Sequence, residues 1–274
     1  MTDTRATVQA QPAIFIGHGS PGNVMEDNTA TAMWEQLGQE LGKPKGIICV
    51  SAHWYTQGTA VTANQAPRTI HDFGGFPQVM YEMQYPAPGD PELAAKVVDL
   101  LGEEGARLDD SWGFDHGCWA ILIKIFPEAD IPVVQLSIDK TRDNDYHYRV
   151  GQKLAQLRQE GYLILGSGNI VHNLAVMDWR GRNKSYPWAQ RFGDYIRQSI
   201  TDNTPENAIN YLHFGVDAEY SVPGPDHYLP LLYVLGARQP EDGVEFRSNF
   251  VEYGSLDMTS VLFQPGESAQ LSGR

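Results

Sequence analysis

Apolar positions in this chain fall into short unbroken runs, separated by longer stretches where they recur at helical spacing. The runs AIFI (13–16), GIICVS (46–51), IPVVQLSI (131–138) and YLIL (162–165) are continuous rather than alternating, and a fifth strand segment follows at 244–251. Continuous runs mark strands covered on both faces, which implies a parallel or mixed sheet between helical layers. Helical spacing marks 29–41, 91–102, 118–126, 143–159, 187–201 and 227–236. The second of these has a start signal, Asp90 as N-cap with Pro91 in the first helical position. The predicted fold is therefore α/β, a single-domain sandwich with a central, mostly parallel or mixed β-sheet flanked by helices. No repeat or linker divides it, so 1–274 reads as one domain with an ordered core of 12–264 and tails at 1–11 and 265–274. One stretch, 64–90, is rich in Pro, Gly and aromatics and has little periodicity. A loop of that length is either a functional lid or binding wall or an ordered surface Ω-loop.

Composition narrows the function classes. With 42% hydrophobic and 20% charged residues the 274-residue chain is globular. Lys and Arg number 20 against 34 Asp and Glu, a net charge of −14 with no basic run, which excludes nucleic acid as a partner. No apolar run approaches the roughly 20 residues of a membrane span, and 1–11 lacks the apolar core of a signal peptide. Cys49 and Cys118 make no disulfide framework. These features fit a cytoplasmic protein without a membrane partner, either monomer or homodimer.

The histidines carry the chemistry. His18 follows AIFI, His53 follows GIICV and His172 follows YLIL, so three lie just past the carboxyl ends of predicted buried strands. In open α/β sheets that edge binds ligands. His116 (GFDHGCW) and His227 (PGPDHYLP) lie in turns that precede helical stretches. Imidazole is both a common ligand for borderline metals and a base near neutral pH, so five histidines in this arrangement predict a histidine-based metal centre. His71 lies in the 64–90 loop, whereas His147 and His213 sit in polar stretches and read as surface residues. Cys49 reads as core; Cys118, beside the His116 turn, lacks a partner thiol. GHGSPG formally matches G-x-G-x-x-G, but the following strand ends in Ser51-Ala52-His53, where a ribose-binding carboxylate belongs. Neither a G-x-S-x-G elbow nor H-E-x-x-H is present.

In order along 12–264, IGHGSPGN, SAHW, DHGCW with IPVVQLSID, GSGNIVHNL and PGPDHYLPLLYVLGA resemble the class III extradiol ring-cleavage dioxygenases of the protocatechuate 4,5-dioxygenase β-subunit superfamily, in particular their 4,5-DOPA dioxygenase branch. The resemblance implies an α/β sandwich in which a non-haem metal opens a catechol such as DOPA with O2, giving a muconate-semialdehyde product. It implies metal ligands at His18, His53 and His227, a catalytic histidine at His172 and a second histidine, His116, near the substrate. In zinc-loaded members the residue matching His172 is also assigned as a ligand. Three protein ligands leave three positions, enough for two catechol oxygens and O2, and this arithmetic favours His172 as base over fourth ligand. Fe(II) is the expected metal of turnover and Zn(II) a resting occupant, because zinc has no redox states.

Substrate contacts are expected from Ser20, Asn23 and Tyr228, which flank ligand histidines, while Phe73, Phe76, Tyr81 and Tyr85 either wall the ring or pack the loop down. Asp115 and Asp226 read as helix caps or as acceptors orienting His116 and His227. Two other functions share the histidine cluster: a zinc hydrolase, which needs a carboxylate near the metal, and a metal- or catechol-binding protein without turnover.

Overall fold

The apolar runs form neighbouring strands of one sheet. In this computed structural model, which describes residues 9–266, the strands are β1 (Ala13–Gly17), β2 (Gly46–Thr56), β3 (Ala60–Thr62), β4 (Arg107–Asp109), β5 (Val133–Asp139), β6 (Tyr162–Gly168), β7 (Gly243–Ser248), β8 (Val251–Glu252), β9 (Leu256–Asp257) and β10 (Ser260–Gln264). Eight of them make a sheet in the order β4-β3-β5-β2-β6-β1-β10-β7, and β8 pairs with β9 apart from it. The central β5, β2, β6 and β1 are parallel, whereas β10 runs antiparallel to β1 and to β7. This is the predicted mixed sheet. The segment expected as one strand at 244–251 is two, because the chain leaves the sheet after Ser248 and pairs β8 with β9.

The helices are α1 (Thr29–Leu41), α2 (Gln78–Glu82), α3 (Pro91–Leu100), α4 (His116–Ile125), α5 (Asn144–Gln159), α6 (Pro187–Thr201), α7 (Pro205–Ile209), α8 (Val216–Ser221) and α9 (Leu229–Ala237). Strand side chains alternate between two cores, as the pleat requires. Ala13, Phe15, Ile48, Val50, Val134, Leu136 and Ile164 face α3, α5, α6 and α9. Ile14, Ile16, Ile47, Cys49, Val133, Leu163 and Leu165 face α1 and α4 around Trp34 and Trp119. Cover on both faces explains the unbroken apolar runs, and α9, whose nine residues are all buried, is apolar all round for the same reason.

Two expectations change here. His147 is fully buried rather than on the surface: α5 turns it into the core, where its Nδ1 lies 2.9 Å from the Tyr233 hydroxyl. His213 is exposed as expected. Of the tails, Ala10 and Gln11 are buried, and the Gln11 N–H donates to the Arg158 carbonyl; 1–8 and 267–274 lie outside the described residues. Among the described residues no helix is long and apolar enough to cross a membrane.

Candidate active site

β1, β6 and β2 end side by side, and their carboxyl ends deliver the histidines. His18 is the first residue past β1, its backbone N–H held by the Gly168 carbonyl at the end of β6. His53 lies in a bulge of β2: pairing with β5 passes from Val50↔Leu136 to Tyr55↔Ile138, so four residues face one. Such a bulge re-aims side chains at a sheet's rim. His116 opens α4 and His227 precedes α9 by two residues. His172 follows β6 by four residues.

Two glycines let these segments approach. A Cβ on Gly117 would lie 2.3 Å from Ser51 Oγ and 2.8 Å from the His53 ring, and one on Gly168 would lie 2.1 Å from the His227 carbonyl. Both positions need a residue without a side chain.

His18, His53 and His227 each offer a ring nitrogen, all within 4.8 Å of one another. The hydrogen bonds assign which nitrogen. Ser167 Oγ donates its one proton to the Gly117 carbonyl at 2.5 Å, so toward His18 Nδ1, 2.8 Å away, it can only accept. His18 is therefore protonated at Nδ1 and its Nε2 lone pair is free. Asp226 Oδ2 lies 2.5 Å from His227 Nδ1 and fixes the same tautomer there. His53 Nδ1 faces Asp72 Oδ2 at 3.5 Å, and its Nε2 is 3.4 Å from His18 Nε2. Around a metal with ligand distances near 2.1 Å, neighbouring nitrogens stand about 3.0 to 3.4 Å apart, so the donor set fits an ion. Each imidazole is backed by an acceptor, the arrangement that orients metal-binding histidines.

Charge agrees. Burial first, then the neighbouring His227 and His116, holds His18 well below the ordinary histidine value. Burial does the same to His53, reinforced by His116 and His18. For Asp226, burial pushes upward but is outweighed by the bond to His227, which keeps the carboxylate ionised. Burial thus disfavours the charged form of His18 and His53, and carboxylates stand behind His53 and His227.

His172 stands apart from the three. Its ring stacks on His227, centroids 3.5 Å apart and planes 3° from parallel. Burial, then His227, pushes its pKa down to about 3. His116 lies 3.7 Å from the His53 ring, and its Nδ1 is 3.0 Å from Asp72 Oδ2 but off the line of a hydrogen bond. Above the cluster is a pocket of about 260 Å³ lined by the five histidines, Gly19, Ser20, Pro21, Phe73, Phe76, Leu174, Met177, Trp179 and Leu256. A larger groove of about 700 Å³ runs between α1 and the end of α4, but no histidine or cysteine lines it. Chemistry, not size, identifies the site.

Of the expected substrate contacts, only Ser20 lines the pocket. Asn23 is buried and donates to the His18 carbonyl, so it props the strand end from behind. Tyr228 is fully buried against Tyr211, its hydroxyl donating to the Ala208 carbonyl; the helix turn that presents His227 points the next side chain into the core. Phe73 and Phe76 reach the pocket, whereas Tyr85 is buried with its hydroxyl on the Phe126 carbonyl. Asp115 caps α4 at the Cys118 N–H while binding Ser51 and Gln135.

Sequence reasoning missed Asp72, which accepts the His116 backbone N–H at 2.8 Å and faces both the His53 and His116 rings. It also missed Ser167 and the wall formed by Leu174, Met177 and Trp179. Asp72 sits beside Phe73 in the 64–90 loop, which read as either a functional wall or an ordered surface loop, and that position was its available signal.

Comparison with known proteins places the chain in a family. Residues 12–264 match the family model described as the catalytic LigB subunit of aromatic ring-opening dioxygenase. The chain is 51% identical over 255 residues to the 4,5-DOPA dioxygenase extradiol of Escherichia coli K12, covering 91% of this chain and 93% of that protein. It is 35% identical over 258 residues to the protein of the same name from Beta vulgaris, covering 90% and 96%. A crystal structure of an uncharacterized E. coli K12 protein superposes with a TM-score of 0.81 at 44% identity, over 92% of this chain and 99% of that one. The chain belongs to the family of the catalytic LigB subunit of aromatic ring-opening dioxygenases.

Proposed function

We propose that residues 12–264 form one catalytic unit that opens a catechol ring beside its two hydroxyls, adding both atoms of O2 to give a muconate-semialdehyde of the seco-DOPA type when DOPA is the substrate. One observation carries this reading: the ring nitrogens of His18, His53 and His227 converge at a largely apolar pocket that two further histidines, His116 and His172, also line.

His18, His53 and His227 are the residues that would hold the metal, and Fe(II) is the ion we assign, since zinc lacks the one-electron steps that O2 demands. Bound there, the ion supplies open positions for the catechol oxygens and O2 together with that electron chemistry. The chain's own groups do the rest. The His172 ring stacks on His227 with centroids 3.5 Å apart, and it is not part of the set whose ring nitrogens lie within 4.8 Å of one another. That arrangement favours a base over a fourth ligand. Held well below the ordinary histidine value by burial, His172 is a neutral imidazole that can take a catechol proton and return it. His116, held by Asp72, offers a further ring nitrogen at the pocket. Phe73 and Phe76 cover the ring and exclude water. The two carboxylates near the cluster, Asp72 and Asp226, face histidine nitrogens and do not line the pocket, so neither stands where a hydrolase's acid or base would meet its substrate. Buried free cysteines fit a reducing, cytoplasmic setting.

The test is anaerobic loading with Fe(II), then DOPA and air. Oxygen uptake with a yellow product supports ring opening; iron-bound protein that takes up no oxygen with DOPA or simple catechols refutes it.

A further inference from the structure

A second, smaller cavity borders His18 and His116. It measures about 10 Å³, close to what one small molecule needs. Its walls are Val24 in the turn after His18, Trp34 on α1, and Ala120 and Ile121 on α4; none of the mouth residues Leu174, Met177 and Trp179 reaches it. The polar side chains beside it, histidines apart, are already engaged. Ser20 Oγ accepts the Gly22 N–H, and Asn23 donates to the His18 carbonyl while accepting from Asn28. The Trp34 indole N–H has no acceptor among the described residues, so the apolar wall offers at most that one donor. A water is held by about two to four polar partners, whereas an apolar gas needs none.

This cavity joins two larger spaces. With the histidine-lined pocket it shares His18, Gly19, Ser20, Pro21 and His116. With the groove of about 700 Å³ between α1 and α4 it shares Val24 alone. A ligand seated in such a pocket buries most of its surface, so a bound catechol obstructs the mouth. A second reactant arriving afterwards needs another way in.

Resting on the ring-opening reading above, we infer that the small cavity is a binding site for O2 and the last stage of a route separate from the catechol's. O2 enters from the groove between α1 and α4, passes Val24, and lodges against Trp34, Ala120 and Ile121 beside His18 and His116. Val24 is the gate, since it alone borders both the groove and the cavity.

Two measurements test this. Zinc has no redox states, so zinc-loaded protein can be held under O2 pressure with DOPA present and no turnover. Because O2 is paramagnetic, methyl NMR should then show relaxation at Val24, Ala120 and Ile121 several-fold above that at Val150 and Leu154, which are buried in the other core. In iron-loaded protein, Val24→Phe and Ala120→Leu each place a side chain that must strain aside for O2 to pass. Both should lower kcat/KM for O2 about tenfold or more, with iron content and DOPA affinity under nitrogen unchanged, whereas Val24→Ala should keep or raise it. Relaxation no greater than at Val150 and Leu154, or concentrated at Leu174 and Met177 by the mouth, overturns the inference. So does an unchanged kcat/KM for O2 in both filled variants. Where a filled variant fails to fold or loses DOPA, the NMR result on the natural protein decides. If no catechol is opened, the ring-opening reading fails, yet the NMR result still decides whether O2 occupies this cavity.

Discussion

Replacing Gly117 by Ala joins the fold to the site in one perturbation. Gly117 is the second residue of α4, where an alanine alone would favour the helix by up to about 1 kcal/mol. Packing opposes this more strongly. The new methyl would sit 2.3 Å from Ser51 Oγ, 2.8 Å from His53 Cδ2 and 3.3 Å from Asp115 Oδ1. Ser51 cannot retreat freely, because it donates at 2.6 Å to Asp115, which is fully buried. Burial, then the nearby Asp72 carboxylate, already pushes the Asp115 pKa upward, so a lost donor there is felt. Overpacking costs about 1–3 kcal/mol and an abandoned buried acceptor a similar amount. Net of the helix preference, the variant loses about 2–4 kcal/mol, a fall in Tm of about 5–10 °C for a chain of this size. Because His53 is displaced too, metal affinity falls at least about tenfold. Thermal unfolding and chelator competition measure both. Gly102→Ala is the control: its methyl meets nothing within 4 Å. A Gly117→Ala protein with unchanged Tm and metal affinity would refute the packing argument.

Asp226→Asn removes the anion behind His227 Nδ1 and should weaken metal binding about 10- to 100-fold, read by competition with a chromogenic chelator; unchanged affinity contradicts the tautomer assignment. His18→Ala and His53→Ala should lose the metal, whereas His172→Ala should keep it and lose ring opening, checked by metal analysis alongside oxygen uptake; an empty His172→Ala site would make that residue a ligand. Burial holds His147 down to about 4, so the unfolded chain takes up a proton below the ordinary value near 6.5 before the folded chain does. The stability this residue carries is whole above that value and is lost as pH falls toward 4. Between pH 7 and 5 the natural protein should lose about 2 kcal/mol more than His147→Gln, measured by urea unfolding; parallel losses would contradict it.

Much of this was legible in the sequence because it was local. Continuous apolar runs gave the parallel centre of the sheet, and the residues just past them gave His18, His53 and His172. What stayed hidden depends on contacts between distant segments. Asp72 reaches the site only because the 64–90 loop folds over α4, pairing Thr69 with Phe114. Ser167 matters through its geometry to Gly117, 50 residues away. His147 was misplaced because its neighbours are polar, although the helix turns it toward Tyr233. Tyr228 was misplaced for a related reason: adjacency to a histidine in sequence says nothing about which way a side chain leaves the backbone. The short strands β3 and β4 at one end of the sheet, three residues each, are too brief to carry a period.

The most direct test of the account follows the oxygen atoms. Iron-loaded protein is given a catechol it binds under heavy-isotope O2, and the product is examined by mass spectrometry beside the stoichiometry of oxygen uptake. The account predicts one O2 consumed per catechol and both labelled atoms in a ring-opened product, with the His172→Ala protein silent though still loaded. Label absent from the product, or only one atom incorporated with the ring intact, would contradict it.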